Sequence, residues 1–184
     1  MVPREKPSGA GNEQGSPTDV ELAWLAGILD GEGWIGVNRA TRKTTGKHRY
    51  SAGCVVATTS PRLANRIHEL LIRLGVSHFF IEVPPKTGKD GSVRRRKWNI
   101  SIAGNTQTGV LLPAVLPYLV EKAAQANLTL EYIARRGELP HRPGGHNLAV
   151  NEKIRALGEK YRSLLGADRN RDDPSTTTRL APSG

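Results

Sequence analysis

Cysteine is almost missing from this chain. Cys54 is the only one in 184 residues, which excludes a disulfide framework and a cysteine-ligated zinc site. Set in an apolar run, it reads as a small buried hydrophobe within a strand. The histidines His48, His68, His78, His141 and His146 show no metal-ligand spacing with other ligands, so structural or exposed positions are expected for all of them. No apolar run is long enough to span a bilayer, and the N-terminus lacks the core of a signal peptide. A soluble intracellular protein with no membrane partner and no small-molecule substrate is therefore expected, in the cytoplasm or nucleoid, an organellar host being equally compatible. Acid is scarce where base is dense. Between Gly36 and Tyr50 lie Arg39, Arg42, Lys43, Lys47 and Arg49 with no acid at all. Between Pro85 and Trp98 lie Lys86, Lys89, Arg94, Arg95, Arg96 and Lys97 against Asp90 alone. With a formal net charge of +10, two such segments describe a phosphate-tracking surface and a polyanionic partner.

The length suits one domain with tails. Residues 1–17 and 167–184 are rich in Pro, Gly, Ser and charge and are expected to be disordered, leaving a domain over residues 18–166. Within it, Thr18-Asp19-Val20-Glu21 is a capping box, so a helix starts at Asp19 and is expected to end at Asp30, with Gly31 in the left-handed conformation that stops it. Strands follow from Trp34 to Arg39 and from His48 to Thr58. Ser60-Pro61 opens a helix whose Leu63, Ile67, Leu70, Leu71 and Leu74 keep helical spacing up to Gly75. A third strand covers His78 to Val83, Lys89-Asp90-Gly91-Ser92 gives a hairpin turn, and a fourth strand runs from Arg94 to Ala103. In that last strand Trp98, Ile100 and Ile102 alternate with Lys97, Asn99 and Ser101. Helices are expected over Thr106–Leu116, Tyr118–Arg135 and Asn147–Leu165, with Pro113 and Pro117 breaking or bending the first. The fold class is therefore α+β, with a four-stranded antiparallel sheet in two hairpins and helices on one face. Its other face carries polar and basic residues suited to a major groove, which admits a β-ribbon.

Trp24 to Val37 read WLAGILDGEGWIGV. Ala23, Ala26, Gly27 and Gly31 have almost no side chain, so a second helix can approach backbone to backbone. That approach sets two copies of Asp30-Gly31-Glu32 side by side. Clustered carboxylates need a cation, and hard oxygen ligands favour Mg²⁺. Acid at a helix C-terminus opposes the macrodipole, so an ordinary core helix does not account for it.

This stretch resembles the signature of the LAGLIDADG homing endonucleases, with Ile28-Leu29 in place of the Leu-Ile pair, Gly31 for the central Ala and Glu32 for the second Asp. The element order αββαββα followed by C-terminal helices is also that of one unit of the family, so the resemblance spans Thr18 to about Arg136. It implies the LAGLIDADG fold, a curved sheet forming a DNA-binding saddle. Only one copy of the motif is present, which implies a homodimer whose signature helices meet through Ala23, Ala26 and Gly27. The implied activity is a staggered double-strand break across the minor groove of a long pseudo-palindromic site, leaving short 3′ overhangs. Glu32 and the Gly31 carbonyl would bind Mg²⁺, with Mn²⁺ substituting and Ca²⁺ binding without cleavage. Leu116 to Leu128 is similar to the family segment that carries a basic active-site residue, which transfers to Lys122 as stabiliser of the phosphorane charge. The family's polar residue at the end of the second strand transfers to Thr59, where a short hydroxyl departs from the usual glutamine. Asp30 ranks below Glu32, since the first acid more often steadies the helix end or the dimer contact.

Strand alternation nominates Asn38, Arg95, Lys97, Asn99 and Ser101 for DNA binding, with Arg42 and Arg49 added for charge. Three other functions compete. An RNA maturase assisting group I intron splicing would use the same basic surface. A non-cleaving DNA-binding regulator has no need of both Glu32 and Lys122. A basic ribosome-associated protein leaves the signature helix unexplained. The early motif and the tails favour an intron-borne or independent reading frame over an intein.

Overall fold

The computed structural model describes residues 15–41, 46, 48–87, 91–140 and 148–171. Helix α1 (Asp19–Glu32) opens on the capping box read from the sequence. The Thr18 hydroxyl accepts the Glu21 N–H at 3.4 Å, and the Glu21 carboxylate accepts the Thr18 N–H at 2.9 Å. That carboxylate also receives both terminal nitrogens of Arg73, at 2.7 and 2.9 Å, and Arg66 at 2.6 Å. Both arginines lie on α2 (Pro61–Arg73). The Arg73 hydrogen bond, with the Thr18 backbone next, holds the Glu21 carboxyl down from 4.5 to about 2.

Strand β1 (Gly33–Thr41) follows α1 without a loop, and β2 (His48–Thr58) pairs with it antiparallel. After α2 come β3 (Phe79–Val83), a short ribbon of β4 (Lys86–Thr87) and β5 (Val93–Arg94), and then β6 (Lys97–Ala103). The main sheet has the order β1-β2-β6-β3, antiparallel throughout. Helices α3 (Asn105–Val115), α4 (Ala123–Gly137) and α5 (Leu148–Arg171) complete the chain. Among the described residues no helix is long and apolar enough to cross a membrane.

All helices cover one face of the sheet. Ile35, Cys54, Val56, Ile100 and Ile102 point into a core with Leu25 and Leu29 of α1, Ile67 and Leu71 of α2, and Leu111 and Leu112 of α3. Cys54 is wholly buried there, and burial pushes its thiol up to about 12. A second cluster joins Val37, Tyr50 and Ala52 to Tyr132 of α4 and Tyr161 and Leu165 of α5. Gly158 lets α5 lie directly on the Tyr50 ring: a Cβ at 158 would stand 2.2 Å from Tyr50 Cγ. The Tyr50 hydroxyl donates to Glu159 Oε1 at 3.0 Å. His68 of α2 and His78 meet ring to ring, Nδ1 to Nε2 at 2.7 Å, which ties that helix to the segment before β3.

The α+β class, the strand pairing and the one-sided helix layer agree with the sequence, and three details differ. Gly31 does not stop α1. It is helical, and the cap is Gly33 at φ −85°, whose N–H donates to the Leu29 carbonyl. Pro113 does not break α3, which continues two residues past it to Val115. Helix α4 begins at Ala123 rather than Tyr118, after a 3₁₀ turn over Leu116–Tyr118 and an extended Leu119. The described residues extend beyond 18 and 166. Helix α5 runs to Arg171, and Arg73 donates to the carbonyls of Gly15 at 2.9 Å and Ser16 at 3.2 Å. The remainder of both tails lies outside the described residues.

Candidate active end and nucleic-acid face

The last turn of α1 carries acid and no base of its own. Its missing cation comes from another part of the chain. Lys122, the N-cap of α4, sends its Nζ to the Leu29 carbonyl at 2.8 Å and to the Asp30 carbonyl. An ammonium on the last carbonyls of a helix is where the macrodipole favours it. Asp30 answers in kind. Its Oδ2 accepts the Val120 N–H at 2.8 Å and its Oδ1 accepts the Lys122 N–H at 2.9 Å. The carboxylate thus fixes the 120–122 loop, and the loop places the lysine on the helix end.

Glu32 sits one residue further on, exposed, at the step from α1 into β1. Gly33 pairs with Val56, so the end of β2 runs alongside. There the Thr58 hydroxyl accepts the Ser60 N–H at 3.1 Å, while Thr59 is exposed. Glu32, Lys122 and the Thr58–Thr59 strand end therefore gather at one end of the sheet. Among the described residues no group of three or more His, Cys, Asp or Glu could hold a metal ion. One chain offers only the Glu32 carboxylate and nearby carbonyls. Those hard oxygens suit a hard divalent cation in kind, but not in number, since Mg²⁺ takes six ligands.

The small-residue stripe divides. Ala23 and Gly27 are exposed on α1, alongside Val20 and Trp24, and a Cβ at Gly27 or Gly31 would meet nothing. Ala26 is 0% exposed and belongs to the chain's own core. Its assignment to a dimer contact is corrected: a residue one position before Gly27 is turned about 100° away on a helix.

The sheet face opposite the helices collects most of the nominated DNA-binding residues. Asn38 is exposed on β1 opposite Ser51, and Arg49 is exposed on β2 opposite Ala40. Lys97, Asn99 and Ser101 line the outward face of β6. Arg95 is exposed just before that strand. Arg42 lies outside the described residues. Alternation in β2, obscured in the sequence by Val55-Val56-Ala57, resolves with Val56 buried and its two neighbours outward.

Three features of this region were not read from the sequence. One is the hydrogen bonding of Asp30. Another is Trp34, whose indole lies over the paired glycines Gly36 and Gly53: a Cβ on Gly36 would stand 3.1 Å from Cζ2 and one on Gly53 3.7 Å from Cζ3. The third is the outward projection of Phe79 and Ile81 beside Ser101 and Asn99. The Phe79-Phe80-Ile81 run is apolar on both strand faces, so periodicity gave no facing; the 2-residue repeat of exposure supplies it now.

Residues 19–99 match the LAGLIDADG-like domain family. No curated protein matches the chain in sequence. Among solved structures, the homing endonuclease I-CvuI, in complex with an I-CreI target in the presence of Mg with the DNA not cleaved, is 24% identical, with a TM-score of 0.55 over 79% of this chain and 82% of that one. The same protein in complex with its own target in the presence of Ca is 22% identical, with a TM-score of 0.54 over 82% and 91%. The group I intron-encoded homing endonuclease I-CeuI, complexed with DNA, is 15% identical, with a TM-score of 0.56 over 82% and 70%. At these identities the likeness is one of fold: a four-stranded antiparallel sheet with helices on one side.

Proposed function

We propose that this chain, whose residues 19–99 match the LAGLIDADG-like domain family, is a site-specific endonuclease that acts on duplex DNA as a homodimer and makes a staggered double-strand break. The observation that carries this reading is the α1 end, where an exposed Glu32 follows an Asp30 already committed to positioning Lys122. A scaffold protein has no use for an acid left open at the negative end of a helix. Support also comes from the fold neighbours, solved on DNA and in the presence of Mg or Ca.

In this reading Ala23 and Gly27 face the same residues of a second copy, which brings two Glu32 carboxylates together and raises the number of oxygen ligands. Mg²⁺ held there by Glu32 and the Gly31 carbonyl would supply Lewis acidity for water activation and for the leaving oxygen, with Mn²⁺ as a substitute and Ca²⁺ binding without turnover. Glu32 orients the attacking side of the site. Lys122 keeps a fixed positive charge beside it, where the phosphorane gains negative charge. Thr59 offers a hydroxyl to the solvent that enters. The outward face of β1, β2 and β6 seats the duplex, with Asn38, Asn99 and Ser101 at base edges and Arg49, Arg95 and Lys97 at phosphates.

The test uses the full chain and a randomised duplex library in Mg²⁺, followed by sequencing of cut ends. A pseudo-palindromic site with short 3′ overhangs is expected, and Glu32→Gln should bind that site but not cut it. Cutting by Glu32→Gln at the wild-type rate would remove Glu32 from the mechanism. Absence of any selected duplex would remove the nuclease reading itself.

A further inference from the structure

The outward sheet face carries an apolar group that cleavage does not use. Strand registers place Val55, Ser101 and Phe79 in one cross-strand row and Ala57, Asn99 and Ile81 in the next. Phe79 is 61% exposed and Ile81 50%. Directly opposed residues have Cβ atoms about 4.5–5.5 Å apart. Asn99 therefore stands between two alkyl groups, Ala57 and Ile81, and Ser101 stands between Val55 and Phe79. Exposed apolar surface of this kind marks an interaction site.

Charge decides what covers it. Lys97 continues the same face, Arg94, Arg95 and Arg96 precede it in the chain, Lys86 lies across the β4–β5 ribbon from Arg94, and Arg49 lies along β2. A second copy of this chain seated face to face would oppose these cations to each other, within a protein of net charge +10. A nucleic-acid duplex satisfies both the basic rim and the apolar centre, because its edge is anionic and its major groove holds one kind of alkyl group. That group is the thymine 5-methyl.

An A·T pair presents adenine N7 and N6 and thymine O4 and 5-methyl to the major groove. The Asn99 carboxamide has the acceptor and donor that match adenine. Ile81, Ala57 and Phe79 have nothing to hydrogen-bond and match only the methyl. A G·C pair in the same place would offer Asn99 only the acceptors guanine N7 and O6, leaving the amide oxygen without a donor, and would put a cytosine C5–H without its methyl before the alkyl groups. We propose that the β2–β6–β3 face selects A·T pairs, with Asn99 on adenine and Ile81 and Phe79 on thymine methyl groups. The inference rests on the duplex-DNA reading above and adds the base composition of the segment read by this face.

The experiment separates the two. The full-length protein selects a duplex from a randomised library in Ca²⁺, and its affinity is then measured on the selected duplex with each thymine replaced by deoxyuridine, which removes the methyl alone. A selected A·T segment is expected, with about fourfold weaker binding for each contacted methyl lost, the equivalent of one buried carbon. Ile81→Ala and Phe79→Ala, both on exposed positions, should bind the thymine duplex as weakly as the wild type binds the uracil one, and should no longer distinguish the two. A sequence-selected duplex bound equally well with thymine or uracil overturns this inference and leaves the endonuclease reading standing. Ile81→Ala altering sedimentation but not DNA affinity overturns it in favour of a protein contact. Failure to select any duplex overturns both.

Discussion

Asp30 and Lys122 hold each other by opposite ends: the aspartate side chain accepts the lysine backbone N–H at 2.9 Å, and the lysine Nζ donates to the Leu29 carbonyl at 2.8 Å and to the aspartate carbonyl. Neither residue can be displaced without releasing the other. The first acid of the motif is thus committed to holding the 120–122 segment, and the second is left exposed.

Asp30→Ala should cost about 1.5–3 kcal/mol of stability, because it removes the charged acceptor of the Val120 and Lys122 N–H groups. Glu32→Gln, on an exposed side chain, should stay within about 0.5 kcal/mol of the wild type. Urea denaturation followed by circular dichroism measures both. Equal stabilities for the two variants would contradict the division of labour between the acids. Lys122→Met should lose both cutting and stability, so its activity has to be read on protein shown to be folded.

In the proposed homodimer, position along α1 separates partner contact from core. Gly27→Leu places a side chain in open space and should leave the monomer folded while weakening self-association. Ala26→Leu overfills a buried position and should destabilise the fold by about 1–3 kcal/mol. Analytical ultracentrifugation alongside thermal melts distinguishes them. A Gly27→Leu protein that still forms a tight dimer would place the dimer contact elsewhere.

Acid should loosen the α1–α2 junction in a defined window. The folded carboxyl of Glu21 lies at about 2, against 4.5 for the ordinary group, because of Arg73 and the Thr18 backbone. A lowered folded value means that the stabilisation is complete above the ordinary value and disappears as pH falls towards 2. The melting temperature of the wild type should therefore fall more steeply than that of Glu21→Gln between about pH 4.5 and 2. Parallel pH profiles would show that the Arg66 and Arg73 pairs do not contribute.

Gly158→Ala should detach α5 from the sheet, since the added carbon would overlap the Tyr50 ring. A loss of about 1–3 kcal/mol is expected, together with exposure of Tyr161 to solvent in fluorescence quenching. A fully stable variant would mean that α5 shifts freely along Tyr50.

Local signals made the first half of the chain legible. Thr18 and Glu21 announced the capping box, Ser60-Pro61 announced α2, and alternation of Trp98, Ile100 and Ile102 gave the facing of β6. What failed were features set at a distance. The end of α1 was misplaced because Gly31, free to adopt a left-handed turn, is kept helical in a helix that Lys122 caps from a segment about ninety residues away. Helix α4 was started too early because Tyr118 to Lys122 has helical composition, and only the Asp30 carboxylate shows why those residues stay irregular. Ala26 and Gly27 are adjacent small residues, and composition cannot tell which of the two is turned inward. For the candidate site, the acidic tip nominated Glu32 and the resemblance of the 116–128 segment nominated Lys122, but their arrangement required the fold.

The direct passage from α1 into β1 at Gly33 has a consequence for how such a protein can diversify. With no hinge between the acid tip and the first outward residue of the sheet, the proposed nuclease would measure the interval from cut to recognised letters with a fixed ruler. Under that reading, outward side chains could drift towards new sequences while the spacing between incision and recognition stayed the same.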